Sequence, residues 1–145
     1  MSMFSALEIS GSAMGAERQR AEVVAANMAN AETTRTPSGG PYRRKEVVFS
    51  GANNSPFQLL LAGFRRLTGR SAVHISKVVN DPSPPVMRYE PGHPDADKSG
   101  YVAYPAINPI EEMVDLMGAA RAYQLNAAAV SASKQMIQGA MDILK

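Results

Sequence analysis

Residues 95–100, Asp-Ala-Asp-Lys-Ser-Gly, are the part of the sequence most similar to a metal-binding loop. They match the opening of a calcium-binding EF-hand loop, with its glycine at the sixth position. The twelfth position of such a loop requires a bidentate Glu, and here it is Ala106. Prolines flank the segment where that motif needs helices. We therefore predict a polar turn in which the aspartates bind backbone amides, and no metal.

Two histidines, His74 and His93, are the only candidates for a catalytic base of the imidazole type. A zinc site would need further ligands, and the chain has no Cys to supply them. We expect His74 to be half-buried in a strand, and His93 to lie in a turn between Gly92 and Pro94. The sequence contains no nucleophile elbow, phosphate-binding glycine loop or paired-carboxylate site. It predicts no enzyme activity and no cofactor, although a hydrolase that uses one of the histidines stays open.

Two short basic clusters, Arg43-Arg44-Lys45 and Arg65-Arg66, are candidates for contacts with nucleic acid or an acidic partner. Neither has interleaved aromatic residues, and Glu46 dilutes the first. The chain has 15 Lys and Arg against 13 Asp and Glu, a net charge of +2. A dedicated nucleic-acid-binding protein is expected to carry a larger basic excess. We predict solvated faces or salt-bridged subunit contacts, and no nucleic-acid partner.

The composition predicts one domain with a thin core. The chain has 145 residues, of which 45% are hydrophobic but only 6% aromatic, and much of the apolar content is Ala. Such a core buries little area per residue. The absence of Cys excludes disulfides and thiolate chemistry. The most apolar run, residues 59–64, stops at Arg65, so we predict no membrane insertion. Glu8 interrupts the apolar stretch that a cleaved secretory signal requires, so we predict no such signal.

Prolines divide the chain into three parts, because all ten lie between Pro37 and Pro109 and helix interiors exclude proline. We predict an α+β fold in which residues 1–36 and 110–145 form two helices that pair as a coiled-coil-like stem. Residues 37–109 would form a small β-rich middle domain. Its strands are predicted within residues 43–49, 73–79 and 101–104, whereas residues 59–67 fit helix or strand equally well.

The two terminal segments carry apolar residues at helical spacing. Ser5 and Glu8 predict a capping box in the first helix, and residues 108–111, Asn-Pro-Ile-Glu, predict the start of the second. Alternating steps of three and four residues form one stripe on each helix. Because Ala and Met dominate these stripes, each helix should be marginal alone, and we predict that the stripes pack against other subunits. The predicted packing residues are Phe4, Leu7, Met14, Met28, Met113, Leu116, Tyr123, Val130, Ile137, Met141 and Leu144.

The end of the first helical segment resembles a signature of the axial proteins of the bacterial flagellum, the subunits of the rod and hook. Residues 26–37 contain an Asn-x-x-Asn pair in the family's Asn-Leu-Ala-Asn form, although Met28 stands where Leu is common. Similarity to the proximal-rod members of the family extends through residues 34–45, 89–97, 108–113 and 121–124. The motif residues that the resemblance identifies are Asn27, Asn30, Thr33, Arg35 and Pro37.

This resemblance implies a non-enzymatic structural subunit of the proximal rod, located in the basal body where the rod crosses the periplasm. It implies synthesis in the cytoplasm, export in an unfolded state by the flagellar type III apparatus, and polymerisation through the terminal helices. The implied partners are copies of the chain, other rod subunits, the proteins where the membrane ring meets the rod, and the export apparatus. The alternative is a cytoplasmic helical adaptor or basic-patch binding module, which the heptad-like spacing and residues 43–45 would suit.

Overall fold

The structure, a computed structural model, describes residues 3–51 and 72–143. Its two helices are α1, Met3–Ala29, and α2, Pro109–Ile143. Its four strands are β1, Lys45–Gly51; β2, Val73–Asn80; β3, Val86–Tyr89; and β4, Tyr101–Tyr104. The predicted α+β class is confirmed. The side chain of Phe4, residue Leu144, the basic pair at 65–66 and the ambiguous run 59–67 lie outside this description.

Local capping explains where α2 begins. The Asn108 side-chain oxygen accepts a hydrogen bond from the Ile110 amide at 3.0 Å, and Pro109 occupies the first helical position. The predicted start is therefore confirmed. The capping box predicted for α1 was wrong, because the helix already begins at Met3 and Ser5 lies inside it. Neither Met3 nor the residue after it stops a helix, so the hydrogen-bond ladder runs upstream of Ser5.

The strands form two separate two-stranded sheets, β1 with β2 and β3 with β4. The β3–β4 pair is antiparallel, with Val86 opposite Tyr104 and Tyr89 opposite Tyr101. The strands expected within residues 73–79 and 101–104 are confirmed, and the one expected within 43–49 begins at Lys45. Strand β3 was not predicted. His74 is exposed on β2, so the expectation of a half-buried histidine was wrong.

The chain divides into two compact units. The second unit, Arg20–Val47 and Val78–Gly118, contains the β3–β4 hairpin, the end of α1 and the start of α2. Its fully buried apolar residue is Val102, beside the nearly buried Tyr104. The described buried residues of the first unit are small: Ala16, Ala119 and Ser133. In the part of the chain that the structure describes, no helix combines the length and hydropathy needed to cross a membrane.

Candidate functional site

Asn27, in the last turn of α1, makes four hydrogen bonds within the second unit and is only 1% exposed. Its Nδ2 donates to the Lys45 carbonyl at 2.8 Å and to Glu112 Oε2 at 3.0 Å. Its Oδ1 accepts from the Lys45 amide at 2.9 Å and from the Tyr42 hydroxyl at 3.2 Å. An amide has two donor hydrogens and two acceptor lone pairs. Every hydrogen-bonding position of this side chain is therefore filled.

Glu112, in the first turn of α2, is also 1% exposed, and Arg44 neutralises it. Arg44 Nε donates to Glu112 Oε1 at 2.5 Å, and its Nη1 pairs with Glu46. Burial alone would lower the pKa of Arg44, but the hydrogen bond and charge of Glu112, aided by Glu46 and Asp81, outweigh burial and raise it. Asn27, Tyr42, Arg44 and Glu112 are called the polar cluster below.

The polar cluster connects three parts of the second unit that are distant in sequence. Asn27 is at the end of α1, Lys45 begins β1, and Glu112 lies in the first turn of α2. A further ion pair, Arg20 Nη2 to Asp115 Oδ1 at 3.2 Å, joins the two helices nearby. Asn27 Nδ2 donates to the Glu112 carboxylate and to the Lys45 carbonyl, and the Glu112 carboxylate also accepts from Arg44. The cluster therefore fixes the geometry of the helix ends and is not arranged as a catalytic site.

The other motif residues form the turn that follows α1. Asn30 Nδ2 donates to the Ala26 carbonyl at 2.8 Å, and the Thr33 hydroxyl donates to Asn30 Oδ1 at 3.1 Å. Arg35 is largely exposed and lies 3.5 Å from Asp95. Pro37 is exposed in the loop. The motif thus ends the helix, leads the chain toward β1 and presents Arg35 and Pro37 at the surface.

The acidic segment 95–100 is a polar turn, as predicted. Asp97 Oδ1 accepts hydrogen bonds from the Ser99 amide at 2.8 Å and from the Tyr101 amide at 2.9 Å. Asp95 binds side chains instead, because the Thr34 hydroxyl donates to its Oδ2 at 2.8 Å. Gly100 adopts φ +82°, a backbone conformation that residues other than glycine rarely adopt. These carboxylates hold the turn that leads into β4.

The predicted apolar stripes are only partly covered within the chain. On α1, Leu7, Met14 and Met28 are half-buried. On α2, Leu116, Val130 and Ile137 are half-buried, whereas Met113, Tyr123 and Met141 are exposed. Among the described side chains of α2, the buried ones are Glu112, Ala119 and Ser133, each one residue before the row that we predicted from Met113.

A second apolar face lies at the start of α2. Ile110, Met113, Val114 and Met117 follow the spacing i, i+3, i+4, i+7, and each is between 52% and 74% exposed. With 3.6 residues per turn, these four point away from the side that carries Glu112 and Ala119. We call them the exposed face of α2. Only Met113 was among the predicted packing residues, although this spacing was readable in the sequence.

The β3–β4 hairpin carries another exposed apolar surface. Met87, Tyr89 and Tyr101, here called the aromatic patch, lie on one side of the hairpin and are between 44% and 65% exposed. The two rings meet edge to face with centroids 5.3 Å apart. The Tyr89 ring also lies over Gly100, where an added Cβ would come within 2.9 Å of Tyr89 Cε2. The opposite side of the hairpin buries Val102.

We expect Tyr42 and Tyr104 to titrate above the usual range of tyrosine. Burial raises the pKa of Tyr42, and the charge of Glu112 raises it further. The hydrogen bond to Glu90 does the same for the pKa of Tyr104. Each group then contributes stability that is present below pH 10.0 and is lost as the pH rises through the folded-state pKa. An absorbance titration of tyrosinate in the wild type, Tyr42→Phe and Tyr104→Phe should assign both raised values.

The control for this titration is the same protein in urea, where the raised values should disappear. If Tyr42→Phe removes no high-pH component from the titration curve, the Tyr42 hydroxyl is not held as its contact with Asn27 indicates.

Comparison with known proteins links the chain to one family along its whole length. Residues 7–35 match the family model described as flagella basal body rod protein. Residues 98–143 match the model described as flagellar basal body rod FlgEFG protein C-terminal. The chain is similar to the flagellar basal-body rod protein FlgC of Borreliella burgdorferi, with 36% identity over 100% of the chain and 99% of that protein. It is 38% identical to FlgC of Bacillus subtilis over the full length of both, and 38% identical to FlgC of Escherichia coli O6:H1 over 94% of both.

Proposed function

This chain belongs to the FlgC family of flagellar basal-body rod proteins, and from that premise we propose that it packs against other rod subunits through the exposed face of α2. The chain is a structural subunit of the rod and is located in the flagellar basal body. It is not an enzyme, since the family is structural. The adaptor and hydrolase alternatives are set aside for the same reason.

The observation that carries the proposal is the exposure of four bulky apolar side chains on two turns of one helix. Ile110, Met113, Val114 and Met117 lie within the segment that matches the rod family model. Burying such a side chain from full exposure contributes about 1.5–3 kcal/mol, and more than half of that remains to be gained at each of these positions. A contiguous face of this kind marks an interaction site in a soluble protein. Assembly with other rod subunits would supply its cover.

The thin core supports coupled folding and assembly as the mechanism. The buried side chains of the described residues include Glu112 and Asn27, and only one buried apolar side chain, that of Tyr104, is larger than valine. Subunits with so little bulky core are suited to export in an unfolded state and to completing their packing only in the rod. We propose that the packing surface also includes the apolar packing residues that the sequence predicts on both helices. The membrane-ring junction proteins and the type III export apparatus complete the proposed set of partners.

Met117→Asp tests the proposed packing surface. We expect the purified chain to keep its helical circular dichroism, because Met117 is exposed. In cells whose own copy of the gene is deleted, the amount of this variant in purified basal bodies should fall at least about tenfold, because a charge is costly in an apolar interface. Swimming should be lost with it.

The matched control is Gln124→Asp, seven residues further along α2 at an exposed polar position. The same side chain is introduced at the same heptad position, so the helix is perturbed equally. We expect the Gln124 variant to enter basal bodies and restore swimming. Normal incorporation of Met117→Asp would overturn the assignment of this face to subunit packing.

A further inference from the structure

The second unit has two exposed apolar surfaces with no residue in common. One is the exposed face of α2, with aliphatic and thioether side chains, and the other is the aromatic patch on the β3–β4 hairpin. Neither is covered by the residues that the structure describes. The chemistry of the two surfaces differs, and this difference suggests which surface covers which.

The side chains of the two surfaces are of types that attract each other. Met113 and Met117 are flexible, polarisable side chains that make favourable contacts with aromatic rings. The aromatic patch offers two tyrosine rings, and tyrosine is enriched among residues that dominate binding energy. Tyr89 is already held in place by Gly100 and Tyr101. A preorganised platform loses less entropy when a partner docks.

The charges beside the two surfaces are also complementary. Lys98, in the turn next to the aromatic patch, is exposed and forms no ion pair with any described residue. The nearby acids are occupied: Asp97 binds backbone amides, and Glu90 accepts the Tyr104 hydroxyl. Glu111 lies beside Ile110 at the exposed face, and within the described chain it accepts only a neutral hydrogen bond, from Asn108. Among the described residues, one surface therefore presents a cation without an ion pair and the other an anion without one.

We propose that the exposed face of α2 in one copy of the chain docks on the aromatic patch of a second copy, with Glu111 facing Lys98. This inference rests on the proposed function and names the partner of the same face. In such a pair one copy keeps a free aromatic patch and the other keeps a free face of α2, so the contact repeats and joins further copies into a ring or a filament. Pairing like with like would bring equal charges together and would stop at a dimer.

Two full-length variants, each with one surface blocked, test this pairing. Met117→Asp blocks the exposed face of α2, and Met87→Asp blocks the aromatic patch at a residue that is 53% exposed. By sedimentation velocity, we expect the wild type to form species larger than a dimer as its concentration rises. Each variant alone should stay monomeric. An equimolar mixture should form a one-to-one pair that does not grow, since only one surface of each kind remains.

Other results of this experiment would overturn the inference. If Met87→Asp alone dimerises, the α2 faces pair with each other, and if Met117→Asp alone dimerises, the aromatic patches do. A wild type that stays monomeric, or a mixture with no pair, excludes the contact between copies. If Met117→Asp is still lost from basal bodies in that case, a different rod subunit covers α2, so the proposed function stands without this inference.

Charge reversal gives a second measurement that does not alter the apolar surfaces. Lys98→Glu and Glu111→Lys should each weaken association by about fivefold or less, because exposed ion pairs are weak. The double variant should recover most of the wild-type affinity, since each contact again joins opposite charges. Circular dichroism of each variant confirms that the chain stays folded. Failure of the double variant to recover would mean that Glu111 and Lys98 do not meet.

Discussion

Asn27→Asp is expected to lower the free energy of unfolding by about 4 kcal/mol. The substitution keeps the size of the side chain but removes both Nδ2 donor hydrogens, so the Lys45 carbonyl and Glu112 lose a partner. It also places a second carboxylate about where Nδ2 lies, 3.0 Å from Glu112 Oε2 in a site that is 1% exposed. Arg44 cannot neutralise both. Urea unfolding of the full-length chain, followed by circular dichroism, measures the loss.

The matched control is Asn108→Asp, the same chemical change at an exposed helix cap. The Ile110 amide donates to the Asn108 side-chain oxygen, and an Asp keeps that acceptor and loses only the exposed donation from Nδ2 to Glu111 Oε1 at 3.2 Å. Asn and Asp are comparable caps, and a negative charge is favourable at a helix N-terminus. We expect a change within about 0.5 kcal/mol. Equal losses in the two variants would show that the buried hydrogen bonds of Asn27 do not decide the stability of the second unit.

The pH dependence of the loss separates electrostatic repulsion from a simple loss of packing. The introduced carboxyl should take up a proton more readily than an ordinary Asp, because burial and a nearby negative charge both raise a carboxyl pKa. A protonated carboxyl regains one donor. The difference between Asn27→Asp and the wild type should therefore shrink as the pH falls toward about 4. A difference that stays constant from neutral to acid pH would exclude repulsion as its main cause.

Features that depend on neighbouring residues could be predicted from the sequence. The start of α2 is decided by Asn108 and Pro109 within one turn, and the β4 strand follows a polar turn whose Asp97 binds the next residues. The family was indicated by short motifs along the chain. Both helices and the α+β class could be predicted because the ends lack proline and carry apolar residues at helical spacing.

The polar cluster could not be predicted, because its partners are remote in sequence. Asn27 meets Lys45 and Glu112, which are 18 and 85 residues away. A prediction from apolar spacing assumes that charged residues are exposed. It therefore missed the buried Glu112 and placed the buried row of α2 one residue too late, at Met113. Only the fold reveals that Arg44 neutralises this carboxylate. Strand β3 escaped prediction because it has four residues and follows Pro82, Pro84 and Pro85.

Gly100→Ala is expected to lower the free energy of unfolding by about 3 kcal/mol. Gly100 has φ +82°, and a left-handed backbone with a Cβ costs about 1–2 kcal/mol. The new Cβ would also lie 2.9 Å from Tyr89 Cε2 and 3.3 Å from Pro91 Cβ. Tyr89 would have to move and would lose its contact with Tyr101, worth about 1 kcal/mol. The same movement should weaken the association between copies, because it disturbs the aromatic patch.

Two further glycines separate the causes of that loss. Gly40 has φ +72° but nothing within 4 Å of an added Cβ, so Gly40→Ala should show the backbone term alone, about 1–2 kcal/mol. Gly92 has neither a positive φ nor a neighbour within 4 Å, so Gly92→Ala should change stability by less than about 0.5 kcal/mol.

A double-mutant cycle then isolates the clash between Gly100 and Tyr89. Tyr89→Ala removes the ring that the new Cβ would meet, so Gly100→Ala should cost less in that background than in the wild type. The cost that remains should exceed that of Gly40→Ala only by the tight contact with Pro91 Cβ at 3.3 Å, because both are left-handed positions and the ring is then absent. If Gly100→Ala costs the same in both backgrounds, backbone strain and the contact with Pro91 explain the cost, and the Tyr89 ring is free to move away from the turn. The preorganised platform that we propose for docking requires the opposite result.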